Sequence, residues 1–398
     1  MDGNAGLVRR GRLDTITGMR FVAALVVFLC HAATFNFVAP DTGVGEAFHF
    51  ATESAGTAGV TFFFILSGFV LTWSARPGET YGGFLRRRMF KMYPNHLVTF
   101  ALAMALFAAA STPPVSAVLN VLLLHAWRPA PGGGNGPSWS LSCDLLFYLL
   151  FPLLLPLVKK IPVARLWWWV GGAIAVIMVL PTVAQLLPST PRFPDDFDGT
   201  MLEGVSMYPF WFLLTFPPVR LLDFVLGILI ARIVLSGRWT GPGVAQAVAL
   251  TAVGYVVGLF VPFYYTLDAV SVIPMSLLIG ALAVAESRGR TSWLGSPVFR
   301  RLGEVSFAFY LIHEIALLFV RSLVGFDHHL PPFTALLVIA AAFALSLALS
   351  FLLYHGVETP VMRKWAGPRR TAPAGGAVPA PAPPGERPDD VGEKARPV

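Results

Sequence analysis

Apolar blocks about 17 to 25 residues long recur along this chain, and few architectures can accommodate them. A hydrocarbon core near 30 Å thick takes about 20 such residues as one helix. Backbone polar groups find no water there, so each block has to satisfy its hydrogen bonds internally, as a helix. Candidate spans lie at about 17–37, 58–75, 89–110, 139–158, 166–187, 218–236, 243–263, 269–286, 304–324 and 332–354. Only 13% of residues are charged and mean hydropathy is +0.67, against roughly 25% charged residues in a soluble domain. The fold expected is all-α: a polytopic membrane domain of about ten transmembrane helices over residues 1–366. The segment Pro113–Trp127 reads as a re-entrant or interfacial piece.

Charge sets the expected orientation. With the N-terminus cytoplasmic, inside segments collect Arg76, Arg86, Arg87, Arg88, Lys91, Lys159, Lys160, Arg165, Arg232, Arg238, Arg288, Arg290, Arg300, Arg301, Arg363, Lys364, Arg369 and Arg370. Outside segments hold acids instead: Asp41, Glu46, Glu53, Asp195, Asp196, Asp198, Glu203, Asp268 and Asp327. Roughly 25 of the 29 Lys and Arg then fall inside, a positive-inside bias that an odd number of spans would scramble. Both termini are expected in the cytoplasm, in a multi-pass protein of the plasma membrane. The net charge of +7 follows from this bias, and no nucleic-acid partner is expected because no soluble basic face exists.

Cys30 and Cys143 each lie in or beside an apolar block, so no disulfide framework is indicated. The run from Phe21 to Val38 is long for a signal peptide and reads as a retained first helix. Residues 367–398, rich in Pro, Ala and Gly, have no apolar period and are expected to be a disordered cytoplasmic tail. The turn-rich stretch Pro188–Pro209 could cover a site from outside. GGGNG at Gly132–Gly136 reads as a loop, and no zinc pattern, nucleotide loop or nucleophile elbow stands out. No metal or permanently bound cofactor is expected.

Ionisable groups inside a span are costly and therefore functional candidates. Arg20 and His31 both lie on the first span. Eleven residues at 100° each bring them to within about 20° of one direction, about 16 Å apart along the axis. That spacing suits a donor with an anionic head at the inner surface and a reactive end deep in the protein, the shape of acyl-CoA. A guanidinium fork grips phosphate, and an imidazole can take a proton from an alcohol. The ordinary alternatives are a positive-inside anchor for Arg20 and an interhelical polar contact for His31.

Motifs along the chain resemble those of the acyltransferase-3 family of membrane O-acyltransferases. LDTITGMRFVAALVVFLCH is similar to its first helix, with Arg20, ten residues, then His31. TFFFILSGFVLT resembles the Phe-rich second helix, with Ser67 and Gly68; FLRRRMFKMYPNHL resembles the basic segment ending in Tyr93 and Pro94. PSWSLSCDLLFYLLFP carries Trp139 and Asp144 in the manner of the Trp-Ser-Leu helix. FPPVRLLDFVLGILIAR, with Arg220, Asp223, Phe224 and Gly227, resembles the Arg-acidic-Phe-Gly helix. SFAFYLIHEIAL, with Tyr310 and His313, and YHGVETPVMRK, with Glu358 and Pro360, resemble the last two motifs.

The resemblance implies that Arg20 and His31 are essential, that acyl-CoA (acetyl-CoA included) is the co-substrate, and that a hydroxyl, often on a sugar, is the acceptor. The acceptor would be a surface glycan or a glycosylated small molecule such as a macrolide. Two positions depart from the pattern: Asp144 replaces a Glu, and Lys91 replaces the Arg before Tyr-Pro, losing the bidentate fork. Asp144 is expected to orient and charge His31, as the acid does in hydrolase triads. Arg87, Arg88 and Lys91 would meet the CoA phosphates, unless they form a basic belt on anionic membrane lipids. Ser67 would donate a hydrogen bond in the site, unless Ser-Gly serves close packing. His313 with Glu314 is a second candidate proton relay, and Glu358 reads as structural. A different class of function, a proton-coupled transporter or flippase of a lipid-linked sugar, also fits buried His, Arg and Asp, but no internal repeat supports it.

Overall fold

The computed structural model describes residues 11–129, 133–193, 202–326 and 328–366, apart from the side chain of Glu53. The expected tail, Asp195, Asp196, Asp198, Asp327 and Gly132 lie outside the described residues. Among the described residues the chain is helical, with no strand. In chain order the helices are α1 (Asp14–Thr34), α2 (Gly43–Trp73), α3 (Tyr81–Ala103), α4 (Pro114–Val121), α5 (Trp139–Lys160), α6 (Leu166–Ala184) and α7 (Met207–Phe210). They continue with α8 (Pro217–Leu235), α9 (Val244–Gly258), α10 (Phe263–Thr266), α11 (Ala269–Ser287), α12 (Pro297–Val324), α13 (Pro332–Leu353) and α14 (Thr359–Trp365).

Each predicted apolar block falls on a helix. Among the described residues seven segments are long and apolar enough to cross a membrane: Asp14–Thr34, Gly43–Trp73, Gly136–Lys160, Val163–Ala184, Phe263–Ser287, Pro297–Val324 and Pro332–Trp365. The other blocks fall short of that measure for visible reasons. The helix α9 has only 15 residues, α3 carries Arg86, Arg87, Arg88 and Lys91, and α8 carries Arg220, Asp223 and Arg232. This is a multi-pass membrane protein.

The central helix is α2, which packs extensively against α8 and α1, while α1 also lies along α12. Close approach of α2 and α8 depends on a reciprocal pair of glycines. A Cβ on Gly68 would overlap the carbonyl of Phe224, and one on Gly227 would overlap the carbonyl of Ile65. Small residues at a crossing let two backbones touch, and dispersion contacts then replace the hydrophobic drive that lipid cannot supply. The Ser-Gly motif of α2 is thus a packing device at its glycine.

The Arg-acidic motif of α8 is also accounted for by packing. Arg220 is 0% exposed and sits 2.9 Å from Asp223 and 3.0 Å from Asp268. It donates to Thr61 Oγ1 at 3.0 Å, whose hydroxyl donates to Asp268 at 2.8 Å, and it stands 5.1 Å over the Phe64 ring. A buried charge is tolerated only when paired and hydrogen-bonded. Here the pairing ties α8 and the start of α11 to α2. At the Arg12 end, the N–H of Thr15 donates to Glu286 of α11 at 3.0 Å, and Arg12 bridges Asp14 and Glu304 of α12. These contacts fix the start of α1, and with it the direction in which Arg20 and His31 face.

Candidate active site

Of the cavities that α1 lines, two receive a charged or titratable side chain from it. The first, of about 150 Å³, takes Arg20 from α1, Ser67 from α2, Arg88 and Lys91 from α3, and Asp144 with Tyr148 from α5. Helical spacing explains the convergence. Arg88 and Lys91 are one turn apart, as are Asp144 and Tyr148, so each pair shares a face. Arg20 faces Glu358, Tyr148, Asp144 and Tyr354, and Glu358 accepts a hydrogen bond from Asn95 Nδ2 at 2.7 Å. Glu358, expected to serve structure, therefore also borders this basic cluster.

Among the described residues none of Arg20, Arg88 or Lys91 is locked into an ion pair. The Nε of Arg88 is buried without a hydrogen-bond partner there. Donors left unsatisfied at a cavity wall are costly unless a ligand satisfies them. Cations from two helices around a cavity therefore point to an anionic ligand. Arg87 does not share it. One position along α3 turns its side chain by about 100°, and it pairs with Glu79 outside the lining of this cavity.

The second cavity, of about 380 Å³, takes Cys30, His31 and Thr34 from α1, Trp139 from α5, and Glu314 from α12, with His125 from the 3₁₀ turn His125–Trp127. His31 Nδ1 lies 2.9 Å from Nε2 of His313, and His313 Nδ1 lies 2.7 Å from the carbonyl of Tyr310. Phe309 stacks along His313 at 6.1 Å, and Phe28 meets it edge-on at 6.3 Å. The carboxylate of Glu314 rests against Gly136, where a Cβ would overlap it. His125 is held by Ser138 at 3.3 Å and Ser142 at 3.5 Å. Among the described residues no cluster of His, Cys, Asp and Glu is arranged to hold a metal ion.

The cavities abut. Val60 and Tyr310 line both. The predicted stripe on α1 therefore opens onto two chambers that share a wall.

Asp144 and His31, predicted to pair, stand in different chambers. Trp139 at the start of α5 lines the His31 cavity, whereas Asp144 lines the Arg20 cavity. Five residues carry the chain about 7.5 Å along the axis and turn it by about 140°. The partner of His31 is His313, and the neighbours of Asp144 are Tyr148, Arg88, Lys91 and Ser67.

Residues 13–355 match the acyltransferase domain model of the acyltransferase-3 family. The chain belongs to that family. It is 41% identical over 366 residues to acyltransferase MdmB of Streptomyces mycarofaciens, covering 88% of this chain and 92% of that one. It is 26% identical over 279 residues to the exopolysaccharide production protein ExoZ of Rhizobium meliloti (strain 1021), covering 66% of this chain and 77% of ExoZ. A weaker similarity, 22% over 408 residues, joins it to the regulator of hypoxia-inducible factor 1 of Caenorhabditis elegans, covering 89% of this chain and 80% of that one. No solved structure matches. The protein is thus a membrane acyltransferase, and Arg20 and His31 of α1 line its two neighbouring cavities.

Sequence reasoning did not single out His125, Trp139 or Tyr310 as cavity residues. His125 lies near the end of the stretch read as a re-entrant piece, which was the available signal: an ionisable group leaving an apolar run.

Proposed function

We propose that the protein transfers an acyl group from acyl-CoA, acetyl-CoA included, to a hydroxyl of a sugar-containing acceptor at the plasma membrane. Its N- and C-terminal ends face the cytoplasm in this reading, so the Arg20 cavity is entered from inside. Arg20, Arg88 and Lys91 take the phosphates of the CoA head, and Asp144 with Tyr148 and Ser67 keeps that basic cluster spaced. The pantetheine arm passes the Val60–Tyr310 wall and delivers the thioester to the His31 cavity. The acceptor enters that cavity from the other side.

The chemistry balances within one ring. His31 takes the proton of the acceptor hydroxyl as its oxygen attacks the thioester carbonyl. The tetrahedral intermediate then breaks its C–S bond, and the imidazolium returns the proton to the CoA thiolate. Donor and acceptor are held together, so a bimolecular reaction becomes effectively unimolecular.

The observation that carries this reading is that one helix contributes Arg20 to a basic cavity and His31 to its neighbour, in a chain of an acyltransferase family. The relative named for exopolysaccharide production supports a glycan acceptor; a glycosylated small molecule such as a macrolide fits the same chemistry. Mass spectrometry of surface glycans and secreted metabolites, with the protein present and absent, tests the acceptor. An O-acylated sugar-containing species that appears only with the active protein supports the proposal. Acylation confined to amines or lipids would overturn it.

A further inference from the structure

The two-histidine contact fixes where the protons sit. His313 is 0% exposed, and its Nδ1 lies 2.7 Å from the carbonyl oxygen of Tyr310. A carbonyl oxygen only accepts, so His313 Nδ1 carries a hydrogen and donates it. A buried imidazolium with no carboxylate partner is costly, and His313 has none among the described residues, so the ring is neutral and its Nε2 is bare. That nitrogen stands 2.9 Å from His31 Nδ1. Two bare nitrogens at that distance would repel, so His31 Nδ1 carries the hydrogen and donates it.

We infer that His313 is the positioning residue that holds His31 in its Nδ1–H tautomer, leaving Nε2 unprotonated as the base for the cavity. This inference rests on the reading of His31 as the group that takes the acceptor's proton. His313 occupies the place of the acid in a Ser-His-Asp triad, with a neutral acceptor instead of a carboxylate. When His31 gains a proton at Nε2, its Nδ1–H to His313 becomes charge-assisted and shortens. The Tyr310 carbonyl anchors the far end. Because Tyr310 also lines both cavities, the residue that orients the pair stands at the wall the donor must pass.

The tautomer can be read without turnover. Full-length protein carrying ¹⁵N-labelled histidine, in lipid nanodiscs, gives ring-nitrogen signals in magic-angle-spinning NMR. The eight histidines are sorted by difference against His31→Asn and His313→Gln. The expected result is a hydrogen on Nδ1 and a bare Nε2 in both His31 and His313. In His313→Leu, the Nε2–H form of His31 appears. In His313→Gln the Nδ1–H form returns, because the amide oxygen accepts from His31 while the amide nitrogen donates to Tyr310.

A hydrogen on Nε2 of His31 in the wild type would overturn the inference. So would an unchanged tautomer in His313→Leu, which would mean that the Val27 carbonyl beside the ring holds the proton unaided. If His313→Leu fails to fold, His313→Ala, which also removes the acceptor, takes its place.

Where activity is followed, His313→Leu lowers kcat roughly 100-fold and leaves the KM for acyl-CoA unchanged, and Gln restores most of the loss. A residue needed only for packing would move both constants and would not be rescued by Gln. A failure of the acyl-transfer reading leaves the spectra standing, and a failure of the spectra leaves acyl transfer intact.

Discussion

The Arg20 cavity and the His31 cavity share Val60 and Tyr310, yet their chemistry is opposite. One is walled by cations that no ion pair among the described residues consumes; the other is lined by His31, His125 and Glu314, with the His31 ring already committed to His313. A phosphate-gripping chamber needs charge and tolerates water. A proton-transfer chamber needs a fixed ring and a hydroxyl brought to it. On the proposed function, separating them along one helix lets binding energy from a remote CoA head position a thioester that the head never touches. In that proposal Arg20 and His31 act in sequence along α1.

This division can be broken by substitution. The largest effect is expected for His31→Ala, which lowers kcat by about 10³-fold or more in a purified transfer assay. Next is Arg20→Ala. Loss of a charge-assisted grip, about 1.5–3 kcal/mol, raises the KM for acyl-CoA roughly 10- to 100-fold, and Arg20→Lys recovers part of it.

Asp144→Asn sharpens the comparison. As a neighbour of Arg88 and Lys91 it should shift the KM for acyl-CoA several-fold. A fall in kcat near 10⁴-fold, the scale of losing a triad acid, would instead mean that it serves His31. Gly68→Ala tests the scaffold between the chambers: a methyl driven into the Phe224 carbonyl costs about 1–3 kcal/mol, read as earlier thermal unfolding in detergent. The smallest effect is expected for Arg87→Ala. It is paired with Glu79 outside the cavity, so kinetic constants should stay within about 2-fold.

The helices were legible because lipid imposes one rule on length and polarity. Their starts were less so. The helix α2 begins at Gly43, well before the apolar block, because Thr42 caps it through its hydroxyl, which accepts from the Gly45 N–H at 3.2 Å. The π-helical turns at Met104–Ala108, Trp211–Thr215 and Tyr354–Glu358 left no apolar signature that differs from an α-helix.

The α1 stripe was readable because both residues sit on one helix, where 3.6-fold periodicity fixes direction. Pairs between helices were not. Nothing local brings His313 to His31 across 282 residues. The triad analogy placed Asp144 beside His31 but ignored the turn of α5. Arg220 and Asp223 were visible only as a motif of charge in a span, which is unusual, and the packing around Thr61 and Asp268 shows them to be a staple.

Binding separates the two chambers most directly. Titration of radiolabelled acyl-CoA onto detergent-solubilised wild-type, His31→Ala and Arg20→Ala protein should show wild-type affinity in the histidine variant, which transfers nothing. It should show affinity weakened by at least 10-fold in the arginine variant. Equal affinity in all three, or loss of binding with the histidine rather than the arginine, would contradict a donor cavity at Arg20 and a reaction cavity at His31.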